Sequence, residues 1–190
     1  MATMHSEHAA AGGAVARRME RADWAWVQRW FEDETLDREL GPLDTDWLEH
    51  VLAETDGVEL VIEAPHPATG LPAPIALVGV VWGDAPAAGA VPGIDASGGS
   101  ADAGGNGHGI TDLAIDPARR GYGLGRSAID AAIAWPGHPP TRSWVAFVDR
   151  DNSGARAFFA AIGWAYEGLD GEGDEAMHRF AHTPVEGPAA

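Results

Sequence analysis

The chain has 190 residues, which fits one domain, and carries 29 acidic against 12 basic side chains, for a formal net charge of −17. It contains no cysteine, so disulfides, thiolate metal sites and cysteine nucleophiles are excluded. All basic residues are arginines, and the acidic excess makes binding to nucleic acid or to an anionic membrane surface unfavourable, while it attracts cationic ligands such as amines.

The sequence starts with small residues and lacks the basic start and apolar stretch of a secretory signal, and no run of about 18 apolar residues could span a bilayer. We therefore expect a cytoplasmic protein with no membrane partner. Its organisation predicts a flexible tail over residues 1–13, one domain over 14–183 and a second tail over 184–190.

Two amphipathic helices and two strands are predicted in the first half. Residues 23–34 place apolar side chains at helical spacing after Asp23, the expected N-cap, and 44–54 repeat the spacing. We interpret their tryptophans as core residues. Residues 58–64 and 74–84 are rich in Val, Ile and Leu, and the turn-rich segment between them favours an antiparallel hairpin.

Residues 85–109 are composed largely of Ala, Gly, Pro, Ser and Asp. Their few apolar side chains cannot offset the entropy of ordering the backbone, which predicts a flexible insertion. Such a segment is either disordered or a flap over an active site.

The second half predicts alternating strands and helices. In chain order these are a strand over 109–117, a helix over 124–135, a strand over 143–149, a helix over 152–164, and a closing strand pair over 164–170 and 175–181. Antiparallel strands followed by a βαβ unit predict a mixed α/β fold.

A glycine-rich turn, Arg-Gly-Tyr-Gly-Leu-Gly over residues 120–125, directly precedes a predicted helix. Glycines allow successive backbone N–H groups to point at one anion, and the helix N-terminus adds partial positive charge. Arg119, Arg120 and Arg126 place three of the twelve basic residues here. These features predict a pyrophosphate site, although the glycines could also serve only a tight turn.

Other nucleotide-binding motifs fit less well. Residues 123–128 match the GxGxxA form of the dinucleotide fingerprint, with Asp149 as a candidate ribose ligand. However, five residues separate the predicted strand from the first glycine, and about forty residues after Asp149 are too few for the remaining strands of that fold. A P-loop is excluded because the chain has no Gly-Lys-Ser/Thr.

The glycine turn and a later helix resemble the two motifs of the GNAT superfamily of acyl-CoA-dependent N-acyltransferases. Residues 115–133, IDPARRGYGLGRSAIDAAI, resemble its acyl-CoA motif, in which Arg120, Gly123 and Gly125 match Arg/Gln-x-x-Gly-x-Gly/Ala. Residues 152–164 resemble its second motif, Asn-x-x-Ala-x-x-hydrophobic-Tyr followed by Gly-Phe.

The resemblance implies a GNAT-type mixed, mostly antiparallel central sheet of about six to seven strands flanked by about four helices. It implies acetyl transfer from acetyl-CoA to a primary amine of a small molecule or peptide, and the acidic charge favours a cationic acceptor. A homodimer is compatible with it. The alternative is a non-catalytic acyl-CoA-binding or interaction module on the same fold.

The resemblance also assigns residues to the acetyl-CoA site. The backbone of one strand would pair with pantetheine, the turn would hold the pyrophosphate, and the later helix would contact pantetheine. These residues are, in chain order, Leu113, Ala114 and Ile115; Arg120, Gly121, Tyr122, Gly123, Leu124, Gly125 and Arg126; and Asn152, Phe158 and Phe159. The family's Tyr hydroxyl, proposed to protonate the departing thiolate, is missing at Phe159.

Attack on the thioester requires a neutral amine, and at a pKa near 10.4 only about one amine in a thousand is neutral at pH 7, so a general base is needed. Asp112, on the strand before the turn, is the first candidate and His108 the second, with Glu59 and Glu63 as further options. Asp112 could instead form a salt bridge or face water, and His108 could be a solvated loop residue. The scattered histidines predict no metal site.

Overall fold

The computed structural model describes residues 13–83, 107–173 and 176–184. Most of each predicted tail and most of the predicted insertion at 85–109 lie outside the described residues. The last residues of that insertion are described, and His108 and Gly109 already belong to a strand.

The described chain forms seven strands and five α-helices. The strands are β1 (Val15–Arg18), β2 (Gly57–Pro65), β3 (Pro72–Val81), β4 (His108–Ile115), β5 (Trp144–Val148), β6 (Ala165–Asp170) and β7 (Met177–His182). The helices are α1 (Trp24–Trp30), α2 (Glu34–Leu40), α3 (Thr45–Ala53), α4 (Leu124–Ile133) and α5 (Ser153–Ala161), with 3-10 turns at Arg21–Asp23 and Pro117–Arg119.

The strands form one mixed sheet in the order β1-β2-β3-β4-β5-β7-β6. β1 pairs with β2, β5 with β7 and β6 with β7 in antiparallel register, whereas β4 and β5 run parallel. The prediction of a mixed, mostly antiparallel sheet of six to seven strands is confirmed.

The predicted helix over 23–34 extends too far, because α1 is shorter and a second helix, which was not predicted, begins at the last residue of this range. α1 ends at Trp30 and α2 begins at Glu34, where Asp33 is the N-cap and its side chain accepts the N–H groups of Thr35 and Leu36. α2 has seven residues and buries only Leu36, so no apolar stripe indicates it in the sequence. The described residues therefore form five helices where about four were expected.

Asp23 does not cap α1 with its side chain. Its carboxylate is buried and accepts two hydrogen bonds from Arg17 of β1, at 2.7 and 2.8 Å, and one from the Trp26 indole at 3.0 Å. The backbone N–H of Glu20 donates a further bond at 2.9 Å. Asp23 thus fixes the path of the chain from β1 into α1.

The chain divides into two compact units, each with its own core. The first contains the described residues up to Ala53 together with Glu59–Val78 and Leu113–Pro136. Its buried core includes Val27, Leu36, Leu48, Val61 and Leu77, and the tryptophans of α1 and α3 pack half-buried against these residues. The prediction that these tryptophans serve the core therefore agrees with the packing.

The second unit contains Glu54–Val58 and the described residues of Gly79–Asp112 and Gly137–Ala190. Its buried side chains include the aromatic residues Trp144, Phe159, Trp164 and Phe180. The prediction of a single domain over 14–183 stays a prediction.

Candidate functional site

The segment between β4 and α4 is held at its start by Asp116. The Asp116 N–H donates to the carbonyl of Ile75 at 3.0 Å, and its side chain accepts the N–H of Ala118 at 3.0 Å. Pro117 then begins the 3-10 turn. Proline suits the first helical position because the N–H of that residue would have no partner within the helix. The end of β4 is thereby fixed relative to the residues that follow.

The glycine turn depends on two left-handed residues. Gly121 has φ +82° and Gly123 has φ +76°, a conformation that side chains with a Cβ rarely adopt. A Cβ at either position would meet no heavy atom within 4 Å, so the space above both is open. Gly125, the third glycine of the motif, lies in the first turn of α4.

The start of α4 provides donors for an anion. Gly123 is the N-cap and offers no side-chain cap, and the first N–H groups of a helix, here those of Leu124 and Gly125, have no acceptor within the helix. The helix dipole adds partial positive charge at the same end. An open left-handed turn followed by unbonded helix N–H groups is an arrangement suited to a phosphate group.

Two of the three arginines around the turn lie beside carboxylates. Arg120 donates from Nη2 to Oδ1 of Asp33 at 2.9 Å, and Nε of Arg119 lies 3.9 Å from Oδ2 of Asp116. Arg126 is exposed in the first turn of α4. Tyr122, between the two left-handed glycines, is 80% exposed. Sequence reasoning placed Arg120 at the turn and missed Asp33, whose position before α2 signals only a helix cap.

Strand β4 contributes the other part of the candidate site. Its parallel pairing with β5 takes in His108, Gly109 and Ile110 and ends there. The three residues predicted to pair with pantetheine, Leu113, Ala114 and Ile115, lie beyond this point and before the glycine turn. Backbone groups that a neighbouring strand does not use are available to an extended ligand.

Asp112 lies on β4 just beyond the end of that pairing and is half-buried. Burial raises the pKa of its carboxyl group, and a hydrogen bond from the Thr111 hydroxyl at 3.2 Å opposes the rise. Among the described residues, Thr111 is its one side-chain partner, and no arginine pairs with it. A desolvated carboxylate without a counter-ion is a stronger base than an ordinary aspartate.

His108 is buried, and both ring nitrogens contact backbone groups. The N–H of Gly83 donates to Nδ1 at 3.2 Å, so Nε2 carries the proton and donates to the carbonyl of Pro139 at 2.8 Å. The ring also packs against Trp82, His138 and Trp144, with centroid distances of 5.0 to 5.4 Å. These contacts favour a structural role and differ from the solvated loop histidine that was the alternative.

The two other candidate bases lie on β2. Glu63 forms a salt bridge with Arg17 at 3.1 Å, so its carboxylate already has a cationic partner. Glu59 is buried, and its backbone carbonyl accepts the N–H of Met19 at 2.8 Å. Neither contact points to catalysis.

The later motif has a structural explanation for each of its named side chains. The carboxamide oxygen of Asn152 accepts the N–H of Ala155 at 2.8 Å and caps α5. Phe159 is 5% exposed, with its ring 5.0 Å from that of Trp164 and 5.7 Å from that of Phe180. Phe158 packs edge-on against Phe159 at 5.2 Å. The enclosed ring of Phe159 leaves little surface for a ligand.

Within residues 13–83, 107–173 and 176–184, no group of three or more His, Cys, Asp or Glu side chains is placed to hold a metal ion. The same residues include no helix with the length and apolar character needed to cross a membrane.

Comparison with known proteins identifies one family and many solved structures with a similar fold. The family model described as "Acetyltransferase (GNAT) family" matches residues 19–164. A search of curated protein sequences finds no match.

Solved structures match nearly the whole chain at low sequence identity, and this likeness concerns the fold. An acetyltransferase from Thermus thermophilus is 18% identical, with a TM-score of 0.62 over 90% of this chain and 97% of its own. The enzyme AAC(6')-Ib, in complex with paromomycin and acetyl-CoA, is 17% identical, with a TM-score of 0.66 over 93% and 99%. Spermidine N-acetyltransferase from Vibrio cholerae, in complex with CoA and spermine, is 16% identical, with a TM-score of 0.60 over 90% and 95%.

Proposed function

The chain belongs to the GNAT family of acetyltransferases, and from this premise we propose that it transfers an acetyl group from acetyl-CoA to a primary amine of a cationic small molecule or peptide. The observation that carries the proposal is the glycine turn, in which Gly121 and Gly123 are left-handed under open space at the start of α4.

Each part of acetyl-CoA has a proposed partner in this region. The pyrophosphate binds the N–H groups of the turn and the first turn of α4, where it gains from the helix dipole. The pantetheine arm extends along Leu113–Ile115 and pairs with their backbone as an added strand would. Arg120 supplies a charged donor beside the turn.

The chemistry is direct transfer. The neutral amine attacks the thioester carbonyl carbon, a new C–N bond forms, and the C–S bond breaks to release CoA as the thiolate. The proton lost by the amine nitrogen passes to Asp112, directly or through water, and the thiolate takes a proton from solvent. A thiol with a pKa of about 8.5 is a tolerable leaving group near neutral pH without a dedicated acid.

The charge of the chain supports a cationic acceptor. The net charge is −17, and α2 and α3 carry five acidic side chains, Glu34, Asp37, Glu39, Asp46 and Glu49, against one arginine. Such a surface raises the local concentration of cations. Two structural neighbours hold amines of this kind, paromomycin and spermine.

The test is a thiol-release assay with acetyl-CoA and a panel of aminoglycosides, polyamines and peptides with free N-termini, together with calorimetric titration with CoA. We expect CoA binding, and thiol release that rises several-fold with at least one amine, with mass spectrometry showing an increase of one acetyl group on that amine. Binding of CoA without amine-stimulated release across the panel would favour a non-catalytic acyl-CoA-binding module. Absence of CoA binding would contradict the proposal.

A further inference from the structure

Asp33 makes more contacts than a helix cap requires. Its Oδ1 accepts the N–H of Thr35 at 3.1 Å, the N–H of Leu36 at 3.0 Å and Nη2 of Arg120 at 2.9 Å. The two side chains are partly exposed, 29% for Asp33 and 36% for Arg120. An ion pair therefore joins the start of α2 to the residue that precedes the glycine turn.

Capping alone does not account for this pair. Asp44 caps α3 in the same manner, accepting the N–H of Trp47 at 2.9 Å, and no arginine pairs with it among the described residues. Partly exposed ion pairs also contribute little to folding stability, since the attraction is offset by hydration and by the entropy of two long side chains. The main effect of the contact is therefore to position the Arg120 guanidinium.

The contact leaves most of the guanidinium available. Arg120 uses one nitrogen, Nη2, for Asp33, and within the described chain it has no other acceptor. Its backbone is extended, with φ −62° and ψ 152°, and it directly precedes left-handed Gly121. A planar guanidinium that is bonded through one nitrogen has fewer accessible orientations, so the directions of its remaining N–H donors are restricted.

We propose that Asp33 is a positioning residue for acyl-CoA binding, which holds Arg120 beside the glycine turn so that its remaining donors meet the CoA phosphates. The inference rests on the proposed function, because it takes the turn as the pyrophosphate site. Through its cap residue, helix α2 would then take part in the binding of the acetyl donor.

Two physical effects of Asp33 oppose each other, and their signs differ. Holding a long arginine side chain in one rotamer before the ligand arrives removes an entropy cost from binding, so loss of the contact weakens binding about five- to tenfold. The negative charge of Asp33 also repels phosphate, so loss of the charge would strengthen binding, most of all at low salt. The guanidinium lies in contact with the carboxylate and neutralises it, so we expect the first effect to dominate.

The experiment compares Asp33→Asn with Asp44→Asn by calorimetric titration with CoA and by steady-state kinetics. Asparagine is a good N-cap residue, so both variants keep their helix caps and lose one charge, but only Asp33→Asn removes the ion pair. We expect Asp33→Asn to raise the Kd for CoA and the KM for acetyl-CoA about five- to tenfold with kcat unchanged, and Asp44→Asn to change neither. The double variant Asp33→Asn/Arg120→Gln should bind CoA no more weakly than Arg120→Gln alone.

Several outcomes would overturn the inference. Unchanged or tighter CoA binding by folded Asp33→Asn would show that the carboxylate does not position Arg120, and so would additive effects in the double variant. A loss of kcat and of thermal stability together would indicate a structural role in α2. If wild-type protein binds CoA and these results occur, the proposed function stands and the inference alone is lost; if wild-type protein does not bind CoA, both are lost.

Discussion

At the scale of single residues, Asp112 combines two properties that folding alone would not favour. Its carboxylate is partly withdrawn from water, and no cation among the described residues pairs with it. Burial of an unpaired charge is costly, and residues that impose such a cost are concentrated at functional sites. The hydrogen bond from Thr111 offsets only part of this cost.

Asp112→Asn tests this assignment by activity. We expect kcat to fall about 10²-fold or more, with little change in the KM for acetyl-CoA, because the variant lacks the base and keeps the size of the side chain. Since burial raises the pKa of Asp112, wild-type kcat should fall on the acid side at a pH above the ordinary aspartate pKa. The variant should lose this acid limb. If Asp112→Asn keeps the acid limb of the wild-type profile, another group must be the base.

The same variant has an expected effect on stability. A raised pKa means that the folded state favours the protonated carboxyl, so this group's contribution to stability is present at low pH and is lost as the pH rises through the raised pKa. Asp112→Asn should therefore have a higher Tm than wild type at pH 7 and an equal Tm near pH 3. Asp46→Asn, which removes an exposed carboxylate from the first turn of α3, should raise the Tm at neither pH, because a negative charge is favourable beside a helix N-terminus.

The sequence identifies the residues of the second motif but does not predict what surrounds their side chains. The resemblance assigns Phe159 to the acetyl-CoA site, and this assignment stays a prediction; the Phe159 ring itself packs among Trp164, Phe180 and Phe158 in the second unit. A phenylalanine suits either place, and only the packing distinguishes them. His108 shows the same limit, since a histidine after a glycine-rich segment gives no sign of two backbone partners.

At the scale of elements, strands and long helices are predictable because their apolar side chains follow a period. β2, β3, β5 and α4 begin and end within three residues of their predicted bounds. α2 is missed because a seven-residue helix with one buried side chain has almost no period to detect. The pairing of Arg120 with Asp33, 87 positions away, leaves no signal in a single sequence.

The glycine turn is the proposed binding site of the CoA pyrophosphate, and Gly123→Val tests this proposal. Valine would be strained at φ +76° and would place a branched side chain in the open space above the turn. We expect the Kd for CoA to rise at least about tenfold, because the phosphate can no longer approach the N–H groups.

Gly70→Val is the matched control for strain. Gly70 lies in the turn between β2 and β3 at φ +69°, with nothing within 4 Å of a Cβ, so valine suffers the same backbone penalty there. Both variants should lose similar amounts of thermal stability, and only Gly123→Val should lose CoA binding. Equal CoA affinity in the two folded variants would remove the turn from the site.

At the scale of the whole molecule, charge is distributed unevenly along the sequence. The chain carries −17 overall, yet residues 117–126 hold three arginines and no acidic residue. A short basic segment in an acidic protein suits an enzyme that binds an anionic donor at one place and attracts cations elsewhere. The attraction of cations can be predicted from the composition alone, because this attraction depends on the total charge and needs no particular contact.

The acidic charge predicts a salt dependence that separates acceptors by their own charge. A Debye length of about 14 Å in 50 mM salt shortens to about 4 Å in 500 mM salt, so long-range attraction is largely lost over this range. We expect the KM for a linear triamine to rise several-fold between these concentrations, and the KM for a monoamine of similar chain length to rise much less, because attraction scales with ligand charge. Parallel changes in both KM values would show that the net charge does not select the acceptor, and the preference for cationic amines would then have to come from individual contacts.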